Sequence, residues 1–256
     1  MAKKYTIVMF FLLGMGKSFA QLNESDTLKF QMRASATGSW QEGNVNILVL
    51  RGRLDFVANG NKDWVFKSQN SSLYQELGNK KADNDIYSRN YLYYKPQKKI
   101  YPFAIFYAQT NFRRKIDYRL FGGVGATYQA VRTENHMVKL SASLVNEKTS
   151  FTTDKFNETA YNGSNEIALW RGTAYLSGIH KIAKNKLRIF YNAYWQPAFE
   201  NVPNNRVQAE IGLEVPVWKG LNLSTQYVYA HEQVVAEKIK QTDKILTFGV
   251  SYQLKK

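Results

Sequence analysis

Nine basic residues recur at alternate positions within segments of otherwise apolar rhythm: Lys29, Arg33, Arg51, Arg53, Lys67, Arg119, Lys139, Arg171 and Arg188. Guanidinium groups hold anions through a planar two-pronged fork, and ammonium groups act as point charges. The acids that share their parity are Asp55, Asp117, Glu210 and Glu214. Nine bases cannot all pair with four acids. An enclosed, unpaired charge is very costly, so the remainder need water or mobile anions. A second basic cluster, Arg113-Arg114-Lys115, falls between the patterned segments, as do Lys80-Lys81 and Lys238 with Lys240.

Other chemistry is sparse. Phe121-Gly122-Gly123-Val124-Gly125 has the glycines of a phosphate loop but not its Lys-Ser/Thr, and no helix pattern follows. Glycines inside a strand more often permit curvature or the close approach of a bulky neighbour. His136, His180 and His231 are dispersed along the chain, so a shared metal site is not expected. With no cysteine, thiol nucleophiles, Cys-ligated metals and disulfides are excluded. Asp154, Glu158, Glu166 and Glu232 are read as solvated loop carboxylates. No catalytic residue, metal ligand or cofactor is assigned.

The elements that position these residues are strands. From Leu28 to Trp40, apolar or small residues at even positions alternate with Lys, Gln, Arg, Ser and Thr at odd ones. The stretches 206–217 and 244–254 do the same. Period two over this length means strands with one apolar and one wet face. Helical periodicity surfaces only over 234–240. Twelve strands are predicted, near 28–40, 45–57, 63–74, 86–94, 101–110, 117–130, 137–147, 166–179, 187–196, 206–217, 221–231 and 244–254, with the weakest alternation in the third and fourth. Val45, Ile47 and Val49 share the parity of Arg51 and Arg53, which calls for a register-flipping bulge.

The gaps between these strands sort by parity. Odd gaps reach 18 residues (148–165), and even gaps hold seven or fewer. Short turns alternating with longer loops, an even strand number and an apolar face on every strand point to a transmembrane antiparallel up-and-down β-barrel. Trp40, Trp64, Tyr101, Phe103, Tyr194, Trp195, Trp218, Tyr227, Tyr229 and Tyr252 lie near predicted strand ends, where aromatic girdles meet the headgroups. The apolar parity then faces lipid, and the nine bases face the lumen. A Lys or Arg turned toward mid-bilayer lipid would cost roughly 2–4 kcal/mol.

The first twenty residues read as an export signal. Lys3 and Lys4 precede the apolar stretch 6–16, and Ser18-Phe19-Ala20 places small residues at a cleavage site before Gln21. The full chain of 256 residues carries 35 Lys+Arg against 20 Asp+Glu, +15. Loss of Lys3, Lys4 and Lys17 leaves 32 against 20, or +12. Export argues against a nucleic-acid partner. The mean hydropathy of -0.43 excludes a polytopic helical membrane protein, but not a barrel whose strands are half polar.

Two stretches resemble the family of salt-induced outer-membrane proteins, also called domain of unknown function 481. One is the opening hairpin, from Ala36-Thr37-Gly38-Ser39-Trp40 through Gly43 to Asn46 and on to Phe56. The other is 111–130, with Arg119, Gly122, Gly123, Gly125 and Tyr128. The resemblance implies an outer-membrane β-barrel of a Gram-negative bacterium, and it implies no substrate or catalytic residue.

Three functions follow as expectations, in descending order. The first is a small, anion-preferring passive pore. The second is a non-conducting structural or surface-interaction barrel. The third is an outer-membrane enzyme, for which the His-x-Ser-Asn-Gly pattern of barrel phospholipases is missing. Expected partners are outer-membrane lipid, the barrel insertion machinery, small anionic solutes, and lipopolysaccharide at Arg113, Arg114 and Lys115.

Overall fold

The computed structural model describes residues 22–25, 28–43, 46–61 and 63–255, so the predicted signal and its cleavage site lie outside the described residues. Alternation becomes a continuous wall of twelve strands: β1 (Phe30–Gln41), β2 (Ile47–Asn59), β3 (Trp64–Leu77), β4 (Lys80–Tyr94), β5 (Ile100–Asn111), β6 (Ile116–Arg132), β7 (His136–Phe151), β8 (Glu166–Ile182), β9 (Leu187–Gln196), β10 (Arg206–Trp218), β11 (Leu221–Glu232) and β12 (Thr242–Lys255). Each pairs antiparallel with its sequence neighbours, and β12 returns to β1 to close the barrel. Closure matters because an open edge would leave backbone N–H and C=O groups unpaired in hydrocarbon. The closing seam is short. β1 is in register with β12 only over 31–36 against 250–255, whereas it pairs with β2 along its whole length.

The outer wall carries exposed Leu54, Phe66, Leu120, Leu144, Leu176, Ile211 and Phe248. Such a belt would aggregate in water and is at home in lipid. Trp40, Trp64, Trp195 and Trp218 are also exposed. Tyr101 and Phe103, expected in a girdle, instead turn inward and are buried. Tyr194 also faces the lumen. The weak alternation of β3 and β4 has a physical cause on this outer face. Asn70 Nδ2 donates to Ser68 Oγ at 2.9 Å, Ser88 Oγ donates to Asn70 Oδ1 at 2.8 Å, and Asn90 Nδ2 donates to Ser88 Oγ at 2.9 Å. This ladder satisfies its own polar groups, which lowers the cost of facing lipid.

Three expectations about the chain path are corrected. The predicted loop 75–85 does not form, because β3 and β4 run on to a two-residue hairpin at Gly78 and Asn79. Both residues have φ near +60°, which a tight primed turn demands and which Gly and Asn adopt most readily. Long loops therefore survive only in the second half, at 152–165, 197–205 and 233–241. The stretch 234–240 is not helical. Val234, Val235 and Ala236 are buried, and Ala236 bridges to Phe156 of a neighbouring loop. Finally, β2 keeps an unbroken register with β1 and β3, so no bulge separates Ile47 and Val49 from Arg51. A register shift occurs instead between Ile116 and Tyr118 of β6, and it leaves Asp117 exposed rather than in the lumen.

Candidate functional site: the barrel lumen

Inward parity collects polar and aromatic side chains from all twelve strands around one cavity of ≈ 240 Å³. Ten Lys/Arg and seven Asp/Glu line it, so the lining is positive by three. The cavity is divided into three environments.

At the end where β1 begins and β12 finishes, the segment 22–25 tucks inside the wall. Glu24 is buried and accepts from Lys139 Nζ at 2.7 Å, from Lys67 Nζ at 3.1 Å and from Tyr101 Oη at 2.9 Å. Lys139 also donates to Asn23 and Ser25, and Arg132 donates to the Ser25 carbonyl. Leu22 packs among Val57, Val65, Tyr93, Tyr101 and Phe103. Burial alone would raise the Glu24 pKa. The ammonium groups of Lys139 and Lys67 outweigh it and hold the carboxyl well below its ordinary range.

Toward the loop end lies a dense ionic cluster. Glu147 of β7, 1% exposed, takes both prongs of Arg206 from β10 at 2.9 Å and faces Arg171 Nε at 3.3 Å. Glu232 of β11 accepts from Arg119 across the barrel at 3.1 and 2.8 Å, and Arg114 reaches it at 3.1 Å. Arg114 also binds Asp243, at 2.6 Å. Above this cluster the three long loops interlock. Asn157 Nδ2 donates to the Gln233 carbonyl at 3.0 Å, and Asn205 Nδ2 donates to Gln233 Oε1 at 2.9 Å. Phe156 and Val234 pack onto Ile116, Phe151, Ile167 and Leu169.

Between these ends the lumen is different. Arg89 of β4 has no ion-pair partner among the described residues. Its guanidinium lies 5.9 Å from the ring centre of Tyr87, 5.6 Å from Tyr107 and 5.8 Å from Tyr194. Tyr194 belongs to β9, nearly opposite β4 in the ring of strands, so this contact spans the lumen. The aromatic wall continues along β4 to β6. Tyr87 stacks on Tyr107 at 6.1 Å, Tyr107 on Phe121 at 4.5 Å, and Tyr91 meets Phe103 edge-on at 5.7 Å. The strand glycines serve this wall. A Cβ on Gly125 would lie 2.6 Å from the Phe103 ring and 2.4 Å from the Ala142 carbonyl oxygen. The Gly122–Gly125 run is thus a packing device within β6.

The predicted residues are distributed unevenly. Arg33, Arg51, Arg53, Lys67, Arg119 and Lys139 line the cavity. Arg33 pairs with Glu214, and Arg53 Nε with Asp55 at 2.9 Å. Arg51 makes no ion pair among the described residues, and its Nη1 donates to Thr247 Oγ1 at 3.3 Å. Arg171 and Arg188 point inward but are sealed off from the cavity at 1% and 0% exposure, against Glu147 and Glu214 respectively. Lys29 is a correction, because it precedes β1 and is exposed at the barrel end. Arg114 is a second. It is 5% exposed and turned into the mouth by its acids, which leaves it no surface for lipid phosphate. Arg113 remains half-exposed while bridging Asp243 at 3.0 Å, and Lys115 sits in the turn at φ 57°. Glu232 is a third, a lumen carboxylate rather than a loop one.

Sequence reasoning missed Arg89, Arg206, Glu147, Asp83 and Asp85. Arg89, Glu147, Asp83 and Asp85 have inward parity on strands whose predicted ends or rhythm differ from the observed ones, and Arg206 has inward parity at the first residue of β10, where the alternation already places a strand. His136 and His180, both at the short-turn end, are cross-strand partners with Nδ1 atoms 3.0 Å apart, and His180 Nε2 lies 3.2 Å from Tyr191 Oη. Among the described residues no group of three or more His, Cys, Asp or Glu could hold a metal ion.

With this geometry in place, the family follows from the sequence match. The model of the protein family of unknown function DUF481 matches residues 34–254. The chain belongs to the DUF481 family. None of the curated proteins matches it in sequence. Among solved structures, the NanC porin aligns over 88% of this DUF481 chain and 100% of its own, at 10% identity and a TM-score of 0.51. The translocator domain of the autotransporter NalP from Neisseria meningitidis aligns over 87% of each chain, at 14% identity and a TM-score of 0.45. The beta domain of the Bordetella autotransporter BrkA covers 89% and 99%, at 13% identity and a TM-score of 0.43. At such identity the likeness to the NanC porin shows the fold alone. This DUF481 member is an outer-membrane-type β-barrel.

Proposed function

We propose that this protein is a narrow passive pore of the outer membrane whose lumen favours small anions. The observation that carries the reading is the charge of the lining, ten bases against seven acids around one cavity, with Arg51 and Arg89 outside every ion pair among the described residues. Such a lining lowers the free energy of an anion in the lumen and raises that of a cation. The long-loop end faces the exterior, and the end where β1 begins and β12 finishes faces the periplasm, as short-turn ends do in such barrels. Cleavage after Ala20 starts the mature chain at Gln21, one residue before the tucked segment. Arg113 and Lys115, with Lys80 and Lys81, are the residues this orientation offers to lipopolysaccharide phosphates. The reading assigns no catalytic role. Purified protein in a planar bilayer under a KCl gradient is expected to give a reversal potential favouring chloride. Absence of conductance, or cation preference, overturns it.

One observation favours a second reading, a non-conducting envelope barrel. The lumen is obstructed at both ends, by 22–25 on one side and by the interlocked loops on the other. This reading expects no conductance in the intact chain, and channels once the 22–25 segment is removed.

A further inference from the structure

Most lumen cations are neutralised by carboxylates, but Arg89 is surrounded by tyrosine rings. Ring faces attract the guanidinium through its flat sides, yet they accept none of its N–H groups as a carboxylate would. Its N–H edge therefore remains available toward the cavity. The hydroxyls of Tyr87, Tyr91, Tyr107 and Tyr175 make no hydrogen bond among the described residues, and all four side chains line the same space. The site thus combines one uncompensated guanidinium, several uncommitted hydroxyls and an extended aromatic wall.

We infer that Arg89 and its tyrosines form a binding site for small organic monocarboxylates. The carboxylate takes the free edge of Arg89, and the apolar body of the ligand lies against Tyr107 and its neighbours. Four considerations select this class. A guanidinium edge matches a carboxylate through two parallel N–H···O bonds. Inorganic anions would gain nothing from the aromatic wall, which offers stacking to a flat or ring-shaped body. A second negative charge would meet Asp85, a lining carboxylate that makes no ion pair among the described residues. A neutral ligand would leave the charge of Arg89 uncompensated. The proposal rests on solutes reaching the lumen, as the pore reading holds, but it requires binding and not transit.

Calorimetry on the full-length barrel in detergent tests it, with benzoate, benzyl alcohol and phthalate as probes. Benzoate is expected to bind saturably at one site, with benzyl alcohol at least about tenfold weaker, as loss of one charge-assisted contact implies, and with phthalate weaker than benzoate because of its second charge. Arg89→Gln is expected to abolish benzoate binding. Lys148→Gln, on the outer surface and away from the lumen, should leave it. Tyr107→Leu should weaken benzoate more than acetate. Heat-modifiable migration of each variant on a gel verifies that the barrel is folded. Equal binding of benzyl alcohol, unchanged binding in Arg89→Gln, or no benzoate binding by the wild-type barrel overturns the proposal. Conductance is read separately. A barrel that binds benzoate through Arg89 without conducting removes the pore reading and keeps the site.

Discussion

Glu147 and Arg89 mark two ways of keeping charge inside one barrel. Around Glu147, Arg171 and Arg206 converge on a carboxylate, and Arg119 and Arg114 lean on Glu232 nearby. Around Arg89 the compensation is aromatic, from three rings on two opposite walls. The carboxylate cluster is committed: every prong that finds an acid is unavailable to a solute. The tyrosine belt screens its cation without consuming its donors. The contrast teaches that counting lumen charges says less about solute recognition than asking what each charge is already holding.

The largest expected effect breaks the committed side. Glu147→Ala should destabilise the barrel by about 3–5 kcal/mol, because it leaves buried arginines without their acid. Urea unfolding followed by loss of heat-modifiable migration measures it. Arg89→Gln orphans no carboxylate, so the same assay should register under about 1 kcal/mol. A comparable loss in both variants would erase the distinction between the two regions.

Next in size is the aromatic wall itself. Gly125→Ala pushes a methyl into the Phe103 ring and a backbone carbonyl, so a loss of about 1–3 kcal/mol is expected in the same unfolding assay. The terminal tuck offers a pH test. The pKa of Glu24 is held down in the folded barrel, so its carboxylate contributes stability at all pH above the ordinary glutamate value of about 4.3. That contribution fades only as pH falls below it. Glu24→Gln should therefore flatten the acid limb of the stability curve, read by melting between pH 3 and 7. Smallest of all is Lys148→Ala. It removes an exposed pair with Glu166 on the outer surface, and no measurable change in melting is expected.

The barrel was legible because its outer face must be apolar at every second residue, and β1, β10 and β12 obey this almost without exception. β4 does not. Ser88 and Asn90 occupy outward positions where a lipid-facing strand normally carries apolar side chains, which obscured the rhythm and hid Arg89 and the inward tyrosines. The acids were under-counted for a different reason. Glu24 enters the lumen from outside any strand, and Glu147 and Glu232 stand near strand ends that read as loop margins. Asp117 was over-counted because a single-residue bulge reverses its face, and nothing in the local pattern marks it. Arg114 lies in a turn, and turn residues have no parity to read.

The brief register between β1 and β12 bears on how the wall would come apart. Pulled laterally, a cylinder fails along the line with the fewest rungs, and here that line joins the first and last strands. The segment 22–25 precedes β1 and grips β3, β5 and β7 from within through Lys67, Tyr101 and Lys139. It acts as an internal tether across the half of the circumference that begins at the seam. Cutting that tether should make unzipping start at β1, and single-molecule extraction from a membrane would record it as an earlier first rupture.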